Sequence, residues 1–265
     1  MNELMDIQRL KSLKVLLIGD SCIDLYYYGV CQRMSPEAPV PVFKVLRTEK
    51  SGGMALNVKA NLKNLGMQVT LLTNDKEIIK ARHIDNKSRQ HLLRVDWGEE
   101  TRVTPLSKEK INEIDFDSYD GVIVSDYNKG FLNSDNIETI LSHASEKMVF
   151  VDSKKKDLSC YENCVIKINQ KEREEATHFP TNCKLLVTLG EDGATYRNNT
   201  FPTEKVEIFD VCGAGDTFMS ALAGSYLLTY DMERAISFAN KCAGIVVQKF
   251  GTYAMKKEDI RDLCI

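Results

Sequence analysis

The sequence predicts an α/β fold: a single domain on a central, mostly parallel sheet, with a small β lid standing beside it. Three observations carry that prediction. Short apolar runs recur through the chain and end in glycine or a polar residue, the pattern of buried strands that open onto loops. Residues 51–73 read as loop, amphipathic helix and strand, a passage of the kind that builds a parallel sheet with covering helices. The stretch 25–50, LYYYGVCQRMSPEAPVPVFKVLRTEK, instead mixes aromatic and β-branched residues with Pro36, Pro39 and Pro41, which suits an edge strand or small accessory sheet.

In chain order, KVLLIG at 14–19 is the first buried strand and leads into a loop where a ligand can be met. After SGG at 51–53, MALNVKANLKNLG sets Ala55, Val58, Leu62 and Leu65 on one helical face, and Gly66 supplies its stop. Met67 to Thr73 is the next strand. The polar region that follows is only half alternating, and its part at about 81–97 is assigned to the lid together with 25–50. DGVIVSD at 120–126 is a further central strand and YNKGFLNSD its loop. Ser134 is the predicted cap of a helix that buries Ile137, Ile140 and Ala144. MVFVD from 148, NCVIKIN from 163 and KLLVTLG from 184 are successive strands. ATYRNN at 194–199 and KVEIF at 205–209 read as a hairpin or paired strands, before helical patterns near 216–229 and 231–247.

With 265 residues, 43% hydrophobic and 28% charged, the chain can bury a sizeable core. Its net charge of -3 and its short basic clusters, such as KKK at 154–156, argue against a broad nucleic-acid-binding face, so an anionic ligand needs a local pocket. The eight cysteines sit mostly in apolar runs, as reduced core thiols do, and Cys160 and Cys164 lack the second pair a zinc site needs. No apolar run approaches the roughly 18 residues of a membrane span, and the N-terminus is polar. A soluble, cytoplasmic protein is expected, with neither nucleic acid nor membrane as partner.

Several strands finish in polar residues: Gly19-Asp20, Ser125-Asp126, Asp152 with Lys154, Lys167 with Asn169, and Thr188 with Gly190. In an open parallel sheet such carboxyl ends gather on one edge, where ligands bind. IFDVCGAGDTF at 208–218 belongs to that setting. Its glycines let backbone N–H groups converge on an anion, and the following helix points its positive end at the same place. Asp216 either caps that helix or faces an acceptor hydroxyl and takes its proton as phosphate arrives. The run lacks the third glycine of GxGxxG and the GxxxxGK[ST] of a P-loop, and no GxSxG occurs, which weakens dehydrogenase, Walker-type ATPase and serine-hydrolase readings.

The early GD, SGG followed by Asn57, NQKE at 169–172 and DVCGAGDTF give the chain a strong resemblance to the ribokinase-like, or PfkB, family of carbohydrate kinases. Within it, RMSPEAPVPVFKV, SGGMALNVKANLKNLG, SDYNKG, VDSKK and FANKCAGIVVQKFGT resemble the kinase portion of bacterial D-glycero-β-D-manno-heptose 7-phosphate kinases, from about Val15 to Thr252. The resemblance implies a ribokinase-like three-layer sandwich over 1–265 and ATP-dependent phosphoryl transfer with Mg2+. It makes Asp216 the base and the amides of Gly213, Ala214, Gly215 and Asp216 an anion hole. Asn169 and Glu172 match the family's NxxE element, which organises magnesium and phosphate partly through water. The sugar side falls to Asp20, Asp24, Gly52, Gly53 and Asn57. Asp126, Lys129, Asp152, Lys154 and Lys167 face the same crevice, the lysines suiting a second phosphate on the substrate. Thr188, Gly190 and Gly193 fall near the nucleotide's phosphates and ribose, Cys212 beside the anion hole, and Asn240 and Gly244 near the adenine.

Two departures stand out. Cys212 occupies a position where relatives commonly carry threonine, keeping the turn's size without the hydroxyl. Between LLTNDKE and IIKARHIDNK, much of one strand-and-helix unit is missing, so the sandwich is expected to be shortened there. A partner subunit is expected to cover the exposed edge, as a homodimer through the Tyr26 to Lys50 lid. No HxGH-like motif of a nucleotidyltransferase occurs, and any such partner activity is expected on a separate chain. Transfer to the anomeric hydroxyl of the heptose 7-phosphate is the first reading. A kinase for another sugar or sugar phosphate, and a silent sugar- or nucleotide-binding homologue, are the alternatives.

Overall fold

The computed structural model describes residues 7–99, 103–261 and 263. The chain runs through β1 (Lys14–Gly19), β2 (Ser21–Met34), β3 (Pro41–Met54), α1 (Ala55–Asn64), β4 (Gln68–Thr73), β5 (Ile79–Asp85) and β6 (His91–Trp97). It continues with α2 (Lys108–Asn112), β7 (Gly121–Asp126), α3 (Ser134–His143), β8 (Met148–Ser153), β9 (Val165–Asn169), α4 (Gln170–Glu175) and β10 (Lys184–Thr188). Last come β11 (Ala194–Tyr196), β12 (Asn199–Phe201), α5 (Ala214–Thr229), α6 (Met232–Val246) and α7 (Lys257–Arg261).

Eight strands make the main sheet in the order β12-β11-β10-β9-β8-β7-β1-β4, parallel except for the antiparallel pairings of β10 with β11 and β11 with β12. Each central strand divides its side chains between two cores, because successive residues point to opposite faces. Val15, Leu17, Ile123 and Phe150 pack with α1, α5 and α6, while Leu16, Ile18, Val122 and Val124 pack on the other side with Ile111 and Ile137. Covered on both faces, these strands are apolar throughout, as parallel strands must be.

Two local expectations change. The helix α3 is capped by Asn133, one residue before Ser134. Asn133 and Asn136 exchange side-chain to backbone bonds of 2.9 Å, a reciprocal arrangement that satisfies two donors at once. Ile137, Ile140 and Ala144 are buried as expected. The hairpin closes within 194–201, turning at Arg197 and Asn198, both at positive φ, so KVEIF at 205–209 has no strand partner and forms no strand.

The lid is a four-stranded sheet ordered β3-β2-β5-β6. It takes in both stretches read as lid and reaches further, from Ser21 to Met54 and from Ile79. Pro36 and Pro39 lie in the connection between β2 and β3, and Pro41 opens β3, an edge strand where a missing N–H breaks no ladder. Only residues 74–78 join β4 to the lid, and β4 is the outermost strand of the main sheet, partly exposed along its length. The shortened region therefore coincides with an open sheet edge. No helix among the described residues is long and apolar enough to cross a membrane.

Candidate active site

The helix α5 begins at Gly213, whose φ of 81° is one that glycine adopts without strain. A Cβ there would also meet Asn57 Nδ2 at 2.7 Å. Ala214 gives its N–H to the Val211 carbonyl at 3.2 Å. The N–H groups of Gly215 and Asp216 belong to the first helical turn, which has no intrahelical acceptors and presents the positive end of the dipole.

Asp216 does not cap this helix; Gly213 holds the cap position and Asp216 sits inside the first turn. Its carboxylate is buried and accepts two bonds, from Asn57 Nδ2 on α1 at 2.8 Å and from the Tyr127 hydroxyl at 2.7 Å. Asn57 is held in turn, since Asn61 donates to its carbonyl at 3.0 Å and accepts from Thr217 at 3.1 Å. Burial raises the Asp216 pKa to about 6; the Asn57 and Tyr127 bonds and Lys167 pull it down, and Asp152 pushes it up.

Strand register brings the next groups to the same face. Asp152 pairs Lys167 across β8 and β9, two positions beyond the core residues Phe150 and Val165, so both side chains emerge on the α5 side. Lys167 Nζ lies 2.5 Å from Asp152 and 3.5 Å from the Gly215 carbonyl. A Cβ on Gly215 would stand 3.0 Å from that ammonium, so the glycine allows the approach. Lys154 reaches Asp152 at 3.2 Å and Glu172 at 2.6 Å. Burial alone would raise the Asp152 pKa, but Lys154 and Lys167 outweigh it and hold the carboxyl below its usual range. Asn169 and Glu172 form a reciprocal capping box on α4, with bonds of 2.8 and 2.9 Å.

Asp20 and Asp126 emerge on the opposite face. Asp20 accepts the N–H groups of Lys129 at 3.2 Å and Phe131 at 3.4 Å, and burial, then Asp126, raises its pKa. Asp126 accepts the Asn128 N–H at 2.8 Å and is contacted by Lys155 and Tyr161. Asp24, on β2, meets Arg82 of β5 and the Thr252 hydroxyl at 3.0 Å. Gly53 leaves room for it, since a Cβ there would fall 2.3 Å from Asp24 Oδ2; a Cβ on Gly52 would fall 2.6 Å from the Leu56 Cβ. Lys129 Nζ reaches Glu99 at 2.7 Å. All three aspartates predicted at the sugar crevice besides Asp152 are thus engaged within the chain.

Thr188, Gly190, Gly193, Asn240 and Gly244 line one cleft that runs to Ala214 and Gly215 at the α5 mouth. It encloses about 190 Å³ and is walled by Val206, Ile208, Val211, Phe218 and Val247, an apolar slot ending at the N-terminus of α5, the positive end of its dipole. Lys205, Val206 and Ile208, read from sequence as strand, line it as loop. Asn240 also ties the Phe201 carbonyl at 2.9 Å. Cys212 donates its N–H to Asp210 at 2.9 Å, and burial with Asp210 pushes its thiol pKa up to about 11, so it is a neutral packing group. Tyr127, Arg82, Thr252 and Asp210 are not among the site residues expected from sequence. For Tyr127 the signal was present: it directly follows a strand that ends on the ligand edge.

A family model described as pfkB family carbohydrate kinase matches residues 73–259. The chain is similar to the bifunctional protein HldE of Helicobacter acinonychis (strain Sheeba), 34% identical over 93% of this chain and 65% of that protein. It is similar to HldE of Wolinella succinogenes at 34% identity over 90% of this chain and 62% of that one. The chain therefore spans less than two thirds of the length of these curated relatives. The first of these alignments extends over 305 residues, more than the whole 265-residue chain, so the relative carries residues with no counterpart here. Among solved structures, phosphofructokinase-2 from Escherichia coli in complex with fructose-6-phosphate superposes with a TM-score of 0.68 at 13% identity, covering 94% of this chain and 97% of that one. Arabidopsis thaliana ribokinase complexed with ribose and ATP gives a TM-score of 0.65 at 13% identity, with the same coverage of each chain.

Proposed function

Because the chain belongs to the pfkB family of carbohydrate kinases and has the ribokinase-like three-layer fold, we propose that it transfers the γ-phosphoryl group of ATP to the anomeric hydroxyl of D-glycero-β-D-manno-heptose 7-phosphate. The observation that carries the reading is Asp216: a buried carboxylate with its pKa raised to about 6, placed where the apolar cleft meets the α5 mouth. A general base is served by a carboxylate whose pKa lies just below neutral pH. The heptose is supported by the motif resemblance and by 34% identity to HldE over 93% of the chain.

In this reading the adenosine occupies the cleft between Gly190, Gly193, Asn240 and Gly244, and the γ-phosphoryl group meets the Gly215 and Asp216 amides. Lys167, 3.5 Å from the Gly215 carbonyl, offsets the charge that grows on the phosphoryl oxygens. Asp216 takes the proton of the acceptor hydroxyl while the new O–P bond forms, the bond to the β-phosphate oxygen breaks and ADP leaves. A Mg2+ ion would be held mainly by phosphate oxygens and water. The Glu172 carboxylate and Asn169 amide would hold that water, and bound Mg2+ would neutralise charge on the phosphates. Lys154 and Lys167 are engaged on the α5 side, paired with Asp152 and Glu172 and, for Lys167, facing the transferring phosphoryl group. A second phosphate on the substrate is therefore better served by Lys129 and Lys80, which share Glu99 at 2.7 and 3.8 Å where lid meets body.

The assay that tests this is ADP release with Mg2+ and ATP over heptose 7-phosphate, fructose 6-phosphate, ribose and fructose. We expect the highest kcat/KM with heptose 7-phosphate. Preference for another acceptor would replace the heptose while keeping the kinase, and absence of turnover with every acceptor would favour a silent homologue.

We also propose a homodimer through the lid. Alternation turns Asp24, Tyr26, Arg82 and Tyr28 inward, all buried. The other face carries Val45, Leu93 and Trp97, exposed by 47, 58 and 47%. Light scattering at micromolar protein should give twice the chain mass, and Leu93→Lys should halve it. A monomeric parent protein would rule the interface out.

A further inference from the structure

Tyr127 lies in the sequence motif SDYNKG, in the loop that directly follows β7. Its loop is pinned from both ends. Asp126, at the end of β7, is fixed on the far face by Lys155, Tyr161 and the Asn128 N–H, and Asn128 takes a positive φ of 56° to make that turn. Asp20 then captures the N–H groups of Lys129 and Phe131, and Lys155 also binds the Leu132 carbonyl at 2.9 Å. Between these anchors Tyr127 crosses back to the α5 side, where its hydroxyl meets Asp216 Oδ1 at 2.7 Å. Lys154 lies 5.5 Å from its ring centroid.

We propose that Tyr127 is a positioning residue for phosphoryl transfer, whose hydroxyl turns and holds the Asp216 carboxylate so that the base meets the acceptor hydroxyl. Asn57 fixes one carboxylate oxygen and Tyr127 the other, so the plane of the carboxylate cannot rotate. Each oxygen keeps a lone pair for the acceptor's proton. Toward the ionised carboxylate the phenol is the donor, and burial, then Asp216 and Asp152, raise its pKa well above the usual tyrosine value, so it keeps its proton. A donor to the ionised carboxylate favours that form and works against the burial that raises the base's pKa. The other groups facing Asp216 are Asn57 from α1, Asp152 and Lys167 from β8 and β9, and Cys22 from β2. In this arrangement Asp20 and Asp126 serve the reaction at one remove, by holding the loop that presents Tyr127.

The proposal rests on Asp216 being the base, and the test separates the two claims. Tyr127→Phe keeps the ring beside Lys154 and removes only the donor. Losing one hydrogen bond to a charged group should lower kcat by roughly 10- to 100-fold, with KM for ATP within about twofold. The acid limb of the kcat profile, expected near pH 6 in the parent, should move to higher pH. In the Asp216→Asn background the same substitution should change the residual rate by less than about twofold, because the group it positions is gone. A Tyr127→Phe acid limb that overlays the parent's would overturn the role of Tyr127, whatever the change in kcat. Near-parental kcat in Asp216→Asn would instead overturn the base, and the positioning role with it.

Discussion

Asp216→Asn should lower kcat by roughly 10²- to 10⁴-fold, the range typical of a lost general base, while leaving nucleotide affinity nearly intact. Asparagine keeps the shape and can still accept from Tyr127, but it cannot take the acceptor's proton. The cleft proposed for the nucleotide does not depend on the charge, since it is lined by Thr188, Gly190, Gly193, Asn240 and Gly244. The substitution also has a stability signature with a fixed sign. The folded-state pKa of Asp216, about 6, lies above the roughly 3.9 of an unfolded aspartate, so its protonated form favours the fold. That contribution is complete below about pH 4 and is lost as pH rises through 6. The Tm of Asp216→Asn should therefore improve relative to the parent between pH 4 and 8. Calorimetry showing a constant Tm difference over that range would remove the raised pKa from the account, and a near-parental kcat would remove the base.

Asp152→Ala should produce the largest loss of stability, about 3–5 kcal/mol, the usual consequence of leaving a buried charge without its partner. Lys167 is almost wholly buried and its ammonium lies 2.5 Å from Asp152, with the Gly215 carbonyl as a weak alternative at 3.5 Å. Lys154 loses its contact too but keeps Glu172. In a domain of this size the shift corresponds to a Tm lower by on the order of 10 °C. Because the Asp152 pKa is held below its usual range, this contribution is present above about pH 4 and fades only as pH falls through the lowered value. Replacing both partners, Asp152→Asn with Lys167→Met, should recover most of the melting temperature but little turnover, since no ammonium would remain at the α5 mouth. Single and double variants that melt together would show that the pair carries no such strain.

Much of this site could be read before any contact was known. The GAGD run marked a helix mouth, and Thr188, Gly190, Gly193, Asn240 and Gly244, far apart in the chain, do line one cleft. The polar strand ends were legible as a set, because apolar runs stop where a parallel sheet meets solvent. Their division was not. Asp152 and Lys167 fall on the α5 face with Asp216, while Asp20 and Asp126 fall on the other and tie down a loop. A single residue of offset along a strand makes that difference, and strand boundaries inferred from sequence are uncertain by more than that. Arg82 and Thr252 escaped notice for a related reason: their partner Asp24 is 58 and 228 positions away, and no local pattern records such a pairing.

By itself the sequence determined the layered α/β architecture, the accessory β sheet broken by prolines, the glycine-rich helix mouth and the family likeness. Each of these is written in local patterns: periodicity, turn chemistry and short motifs. Only the tertiary structure decided which charges meet. It took Asp126 to Lys155 and Tyr161, Asp24 to Arg82, Lys167 to Asp152 and Tyr127 to Asp216. A buried polar group must find a partner, and which one it finds depends on the face its strand presents and on what the rest of the chain packs against that face.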